Sequence, residues 1–281
     1  MILKFTKMHG IGNDYIYFNG FTQSIDDPEK LSKTVSDRHF GIGGDGIIII
    51  CPSEIADAQM KMYNADGSQG KMCGNAIRCV GKYIYDNGIV SKDRTEVKIE
   101  TLSGVKTLKL FVENGEAKGA LVDMGKAILK AEDIPVIYDS DTVINKPLDV
   151  DGKIYDVTCV SMGNPHCVVF LDDVKNLELE KIGPSFEFNK AFPDRINAEF
   201  AKVIDENTIE MRVWERGSGE TWACGTGACA TAVAAVENGF CKKVEDITLR
   251  LRGGELTIKY TDETVFMTGP ATKVFDGEIE I

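Results

Sequence analysis

The chain has 281 residues, 43% of them hydrophobic and 27% charged, and carries a net charge of −12. That length accommodates two domains of ordinary size, and the acidic surplus argues against nucleic acid and anionic membranes as partners. No apolar run approaches the roughly 20 residues of a membrane span, and the opening Met1-Ile2-Leu3-Lys4-Phe5 is too short and mixed for a secretory signal, so a cytoplasmic protein is expected.

In chain order, hydrophobic periodicity and turn residues predict strands at 2–8 and 14–19, a helix at 28–37 and a Gly-rich loop at 41–46. Strands at 46–51 and 58–64, a helix at 73–87 and strands at 95–102, 105–112 and 116–123 follow. The stretch 124–152, rich in Asp and Pro, reads as a boundary zone. Beyond it the order returns: strands at 154–161 and 166–171, a helix at 177–190, strands at 197–204 and 207–214, a helix at 224–238, and closing strands that include 263–268 and 276–281. The helices from Cys73 and Cys224 both stop at Asn-Gly pairs, Asn87-Gly88 and Asn238-Gly239. The second is Ala-rich and apolar on nearly every side, which marks a buried helix.

The two halves also share motifs. Gly12-Asn13 recurs as Gly163-Asn164, Cys73-Gly74-Asn75 as Cys224-Gly225-Thr226, and Asp86-Asn87-Gly88 as Glu237-Asn238-Gly239, all at a spacing of 151 residues. An internal duplication follows. The expected fold is α+β, with two pseudo-symmetric domains, each a curved and mainly antiparallel sheet wrapped around a central helix. Expected boundaries are 1–122, completed by the C-terminal strand 272–281, and 123–271.

Eight cysteines in a chain of this length without an export signal read as reduced thiols. The spacings from Cys73 to Cys79 and from Cys224 to Cys229 fall inside helical patterns, without a paired Cys-x-x-Cys, so no metal is expected. Cys51, Cys159, Cys167 and Cys241 read as small buried hydrophobes. Cys73 and Cys224 instead stand where a polar, Gly-containing loop gives way to a helix. Free N–H groups and positive partial charge there should lower a thiol pKa from about 8.5 toward neutrality. The same groups bind a carboxylate or its enediolate. One thiol on each side of a carbon acid suits a reaction that removes a proton from one face and returns it from the other; like charges at close range keep both from ionising together. The competing reading is two structural cysteines at helix starts.

At the same spacing His166 corresponds to Tyr15 and Glu215 to Asn64, so the pseudo-symmetry breaks at titratable positions. His166 is a candidate for tuning a thiol, against a purely structural role. Asn13, Asn64, Asn164 and Asn197 are candidates for contacting polar substrate groups, with turn formation as the alternative. Glu215 and Arg216 offer a carboxylate for an ammonium and a guanidinium for a carboxylate. Gly41-Ile42-Gly43-Gly44-Asp45-Gly46 satisfies G-x-G-x-x-G, but it follows a helix and leads into a strand, the reverse of a dinucleotide loop, and reads as a turn at the pocket's border.

Gly12-Asn13-Asp14-Tyr15, Tyr63-Asn64-Ala65-Asp66-Gly67-Ser68, Met72-Cys73-Gly74-Asn75-Ala76-Ile77-Arg78, Gly163-Asn164-Pro165-His166, Trp214-Glu215-Arg216-Gly217 and Ala223-Cys224-Gly225-Thr226-Gly227 together closely resemble the diaminopimelate epimerase family over essentially the whole chain. The resemblance implies a cofactor-independent homodimer, with no metal, that interconverts LL- and meso-2,6-diaminopimelate for lysine and peptidoglycan. It implies Cys73 and Cys224 as acid/base thiols, His166 and Glu215 as modulators of their pKa, and Asn13, Asn64, Gly74, Asn75, Asn164, Asn197, Glu215, Arg216, Gly225 and Thr226 as the groups that bind this small diamino dicarboxylate. Some members carry a substrate-contacting Gln where this chain has Gly46. The alternatives are a proline or hydroxyproline racemase of the same fold, against which Asn75 stands where those enzymes have His, and a non-catalytic amino-acid-binding relative. A thiol redox or metal protein is disfavoured by the cysteine spacings.

Overall fold

The computed structural model describes all 281 residues. Two compact units are present, Met1–Asp123 with Thr268–Ile281, and Met124–Met267.

In the first unit, β1 (Ile2–Gly10) and β2 (Asn13–Asn19) form an antiparallel hairpin. Its two-residue turn, Ile11-Gly12, has both φ angles positive, 47° and 85°, the backbone twist that suits a tight hairpin. Helix α1 (Pro28–Ser36) crosses over to β3 (Gly46–Cys51), which runs parallel to β2. Proline sits in the first turn of α1, where its missing N–H is not needed, and the Asp27 side chain caps the Lys30 amide. β3 pairs antiparallel with β4 (Ala58–Asn64), and β4 with the short β5 (Gln69–Gly70). Helix α2 (Gly74–Asp86) then leads to β6 (Glu96–Thr101), parallel to β4, and to the meander of β7 (Gly104–Glu113) and β8 (Glu116–Asp123). The final strand, Thr272–Glu280, returns to pair antiparallel with β1.

The second unit repeats this plan after a 3-10 turn at Ala131–Asp133. Strands β9 (Lys146–Val150) and β10 (Lys153–Ser161) are antiparallel, as are β10 and β11 (Pro165–Phe170). Helix α3 (Leu179–Glu187) crosses to β12 (Asn197–Asp205), parallel to β11. β13 (Thr208–Glu215) pairs with β12 and with the short β14 (Gly219–Thr221). Helix α4 (Gly225–Glu237) leads to β15 (Asp246–Leu251), parallel to β13, then β16 (Gly254–Tyr260). β17 (Val265–Pro270) precedes β18, the final strand named above. The duplication extends to register: Ile16 faces Ile47 in the first unit, and Cys167 faces Ala198 in the second.

Residues Gly74 to Tyr85 of α2 are all buried, and nearly all of α4 is. Small residues make this possible. A Cβ at Gly81 would stand 3.0 Å from both Leu108 and Leu110, so glycine lets β7 close on α2. In α4 alanines fill the same role. Each helix is thus held in place over its length, and its N-terminal residue is placed to within the tolerance of a packed core.

Three expected elements need correction. The final strand begins at Thr272, the start given with the domain boundaries and not the 276 given with the strands, the boundary stretch contains β9, and α3 is shorter than 177–190. Pro184 inside α3 removes one helical N–H, and the helix ends three residues later. No helix is long and apolar enough to cross a membrane.

Candidate active site

Cys73 and Cys224 occupy the same place in their units: each is the N-cap residue of its buried helix. Both are extended at φ −129° and −118°, and each sulfur accepts an amide hydrogen from the helix it caps, Ala76 N at 3.5 Å and Gly227 N at 3.4 Å. A sulfur in this position lies beside the first-turn N–H groups of the helix it caps, those of Gly74 and Asn75 in one unit and of Gly225 and Thr226 in the other.

Around Cys73 the groups form a chain. Its thiol donates to Asn13 Oδ1 at 3.2 Å, and Asn13 Nδ2 donates to Asp45 Oδ2 at 2.7 Å. Arg38 then bridges Asp45 and Asp14, and Lys7, almost fully buried, pairs with Asp14. Burial alone would raise the Asp14 pKa, but hydrogen bonds and charge from Arg38 and Lys7 outweigh it and the carboxyl ends lower than usual. Asp45 goes the other way, raised by burial and then by the charge on Asp14. Asp45 lies in the Gly-rich loop and was not among the sequence candidates; the only signal was an acidic residue flanked by glycines.

The other first-unit candidates are tied down locally. The Asn75 side chain is buried and accepts from Arg78 Nη2 at 2.9 Å. Arg78 is fully buried and also donates to the carbonyls of Gly74 and Pro270. Asn64, opposite Gly46 across β3 and β4, donates to Ser68 Oγ and so shapes the Asp66-Gly67-Ser68 turn.

In the second unit Thr226 Oγ1 lies 3.5 Å from Cys224 Sγ and accepts from Asn164 Nδ2 at 3.3 Å. Asn164 Oδ1 meets His166 Nε2 at 3.0 Å, and His166 Nδ1 meets Glu199 Oε1 at 2.7 Å. Glu215 accepts the Thr221 hydroxyl and lies within hydrogen-bonding reach of the Cys224 thiol. Asn197 binds two neighbouring segments, donating to Pro165 O at 2.7 Å and accepting from Arg216 N at 3.0 Å. Arg216 is exposed and holds Asp194 O with one guanidinium nitrogen. Behind this segment the buried Glu187 accepts from Trp214 Nε1 and Gly217 N, fixing both sides of Glu215-Arg216. The structure therefore gathers Thr226, Asn164, His166 and Glu215 around the Cys224 thiol, with Asn197 bonded to the backbones of Pro165 and Arg216.

One electrostatic expectation is overturned. Cys224 is not lowered toward neutrality: burial pushes its thiol well above the usual range, and the carboxyl groups of Glu215 and Glu199 add to the rise. The helix N-terminus contributes one amide to the sulfur, which is too little to offset desolvation and two nearby acids. Burial likewise raises Glu215, against the hydrogen bond from Thr221.

The chain has extensive relatives. The family model for diaminopimelate epimerase matches residues 5–130 and 158–274. A diaminopimelate epimerase of Acetivibrio thermocellus is 54% identical over 281 residues, covering 99% of each chain. One from Methanococcus maripaludis is 52% identical, covering 99% of this chain and all of its own. Among solved structures, a probable proline racemase from Agrobacterium radiobacter superposes with a TM-score of 0.77 at 13% identity, over 99% of this chain and 93% of that one. A hydroxyproline epimerase from Agrobacterium vitis does so at 0.74 and 12%, over 99% and 91%. These two establish a common fold. The paired N-cap cysteines, the Asn-Pro-His turn and the Glu-Arg-Gly segment thus stand in a chain matched along nearly its whole length, and that chain belongs to the diaminopimelate epimerase family.

Proposed function

We propose that this protein is an isomerase that interconverts LL- and meso-2,6-diaminopimelate by proton transfer between the α-carbon and two thiols, Cys73 and Cys224. The observation that carries the reading is the repetition of one device, a sulfur capping a buried helix, in both halves of a family member. One sulfur, as thiolate, takes the α-hydrogen; the other, as thiol, delivers its own hydrogen to the opposite face. The electron pair of the broken C–H bond is held meanwhile as an enediolate by helix N-terminal N–H groups, and ends in the new C–H bond. The first sulfur finishes protonated and the second ionised, so the reverse reaction exchanges their roles. No group outside the chain enters this account.

The Gly74, Asn75, Gly225 and Thr226 amides suit the reacting carboxylate. Because the Asn75 side chain is engaged by Arg78, its contribution is its backbone N–H. Arg216, with guanidinium donors beyond the one on Asp194, suits the carboxylate at the far end of the substrate. Asn64 and Asn164 contribute polar contacts, and Asn197 acts by fixing the turns on either side of it. Eight free thiols suit a reducing, cytoplasmic setting. Exposed Ile2, Val274 and Phe275 on the paired strands β1 and β18 support a homodimer.

The test is exchange in deuterium oxide. Diaminopimelate should gain α-deuterium in the presence of the protein and proline should not; exchange into proline, or none into diaminopimelate, overturns the reading.

A further inference from the structure

Glu199 belongs to no part of the mechanism above, yet its placement is demanding. It sits mid-strand in β12 with no exposed surface, its Oε1 on His166 and its Oε2 buried without a hydrogen-bond partner. The repeat shows that the fold does not need it: strand register places Glu199 where the first unit has Ile48, and His166 where it has Tyr15. A carboxyl group in place of an isoleucine, buried and half-satisfied, is a burden on stability that packing does not account for.

The chemistry of the pair is constrained by that burial. An ionised Glu199 beside a neutral imidazole would leave a net charge, with one bare oxygen, close enough to act on Glu215 from β13, Cys224 at the head of α4 and Cys167 from β11. A net-neutral pair avoids this. It has two forms, imidazolium with carboxylate or imidazole with carboxylic acid, and in both a hydrogen lies between Nδ1 and Oε1 while Nε2 also carries one. Nε2–H then donates to Asn164 Oδ1, Asn164 Nδ2 donates to Thr226 Oγ1, and the Thr226 hydroxyl hydrogen is free to turn onto Cys224 Sγ. Glycine closes the arrangement: a Cβ at Gly227 would stand 2.7 Å from Glu199 Oε1 and 3.3 Å from Cys224 Sγ.

We propose that Glu199 is a positioning residue for Cys224: by sharing one hydrogen with His166 it fixes the direction of the hydrogen-bond chain, so that Thr226 donates to the sulfur when Cys224 has given up its proton. This deepens the epimerase reading and rests on it. It also means that the two thiols are served differently, Cys73 by an amide oxygen that accepts from it and Cys224 by a hydroxyl that can donate to it.

The first test needs no substitution. With nitrogen-15 in the three histidines, His166 Nε2 should carry a hydrogen; a bare Nε2 overturns the proposal. The second compares variants. Glu199→Leu removes a carboxyl that raises the Cys224 pKa but also releases the chain that turns the Thr226 hydroxyl onto the sulfur. With the second effect dominant, kcat should fall about tenfold with KM within about threefold, and the pH midpoint for alkylation of Cys224 should move up by about one unit. Glu199→Gln, which can still donate to Nδ1, should restore most of both. Leu and Gln variants that are equally impaired, or both like the parent, overturn the proposal. If the Leu variant fails to fold, the histidine measurement decides. If the parent exchanges no diaminopimelate, the epimerase reading falls while that measurement still judges the pair.

Discussion

Asn13 Oδ1 accepts the Cys73 thiol hydrogen at 3.2 Å while the same side chain donates to Asp45 at 2.7 Å. Its counterpart at the duplicated position, Asn164, does not reach its cysteine and acts through Thr226 instead. The two sulfurs therefore differ in their neighbours although their backbones match. Asn13→Asp tests the first arrangement. It adds a carboxylate beside Cys73 at unchanged size, which disfavours the thiolate, so the alkylation midpoint of Cys73 should rise by about one pH unit. Alkylation followed by peptide mass spectrometry, with Cys224 as internal reference, measures it; an unmoved midpoint would remove Asn13 from the thiol's surroundings.

Replacing either cysteine by alanine should abolish epimerisation, since the proposed mechanism assigns each thiol one face of the α-carbon. The fold should survive. Losing a sulfur cap is expected to cost only about 0.5–2 kcal/mol, which thermal unfolding will register. Near-parental turnover in either single variant contradicts the two-base account.

Glu215 is the leading charged neighbour of Cys224, and its effect has a definite sign. A carboxylate favours the protonated thiol, so Glu215→Gln should let the thiolate form at lower pH, by roughly one unit. Stability follows the same linkage. The folded Cys224 pKa lies above its unfolded value, so the resulting stabilisation is complete below about pH 8.5 and is lost as pH rises through the folded value. Glu215→Gln should therefore weaken the fall in stability under alkaline conditions. Urea unfolding at two pH values, neutral and alkaline, compares the two proteins; a steeper alkaline loss in the variant would reverse the assignment.

Arg216→Ala removes an exposed guanidinium while keeping the backbone N–H that donates to Asn197. Loss of one partner of a carboxylate contact costs on the order of 2–5 kcal/mol when desolvated, so kcat/KM for diaminopimelate should fall about 30-fold or more. Cys73 and Cys224 should alkylate at nearly the parental rate. Unchanged kcat/KM would place recognition of the far carboxylate elsewhere.

Gly46 occupies a position with no room for a side chain. Its φ is +156°, and a Cβ would stand 2.1 Å from Tyr63 O and 3.0 Å from Tyr15. Gly46→Gln should destabilise the protein by about 2–4 kcal/mol, seen as a lower denaturant midpoint. A variant as stable as the parent would show that β3 and β4 can separate cheaply at this point.

Much of this architecture is legible in the sequence. Gly12-Asn13 and Gly163-Asn164, with the two Cys-Gly pairs, keep one spacing because each unit needs the same hairpin and the same helix start. Asn87-Gly88 and Asn238-Gly239 marked where the helices stop, since only such residues leave the helix with positive φ at little cost. Asp45 and Glu199 were hidden for the opposite reason. Their partners, Asn13 and His166, lie more than thirty positions away, and no local pattern announces a contact made across parallel strands. The raised pKa of Cys224 was hidden likewise: a helix N-terminus is visible in sequence, whereas burial and acids arriving from β12 and β13 are not.

A sulfur that caps its own helix ties reactivity to folding. The lone pair that would capture a substrate hydrogen also holds Ala76 N–H in one unit and Gly227 N–H in the other. Any electrophile that consumes that lone pair also unfastens the first turn of a helix buried along its length, α2 or α4. Covalent inactivation should therefore announce itself in slackened amide-exchange protection at residues 74–77 or 225–228, an imprint that identifies which sulfur was hit without any assay of turnover.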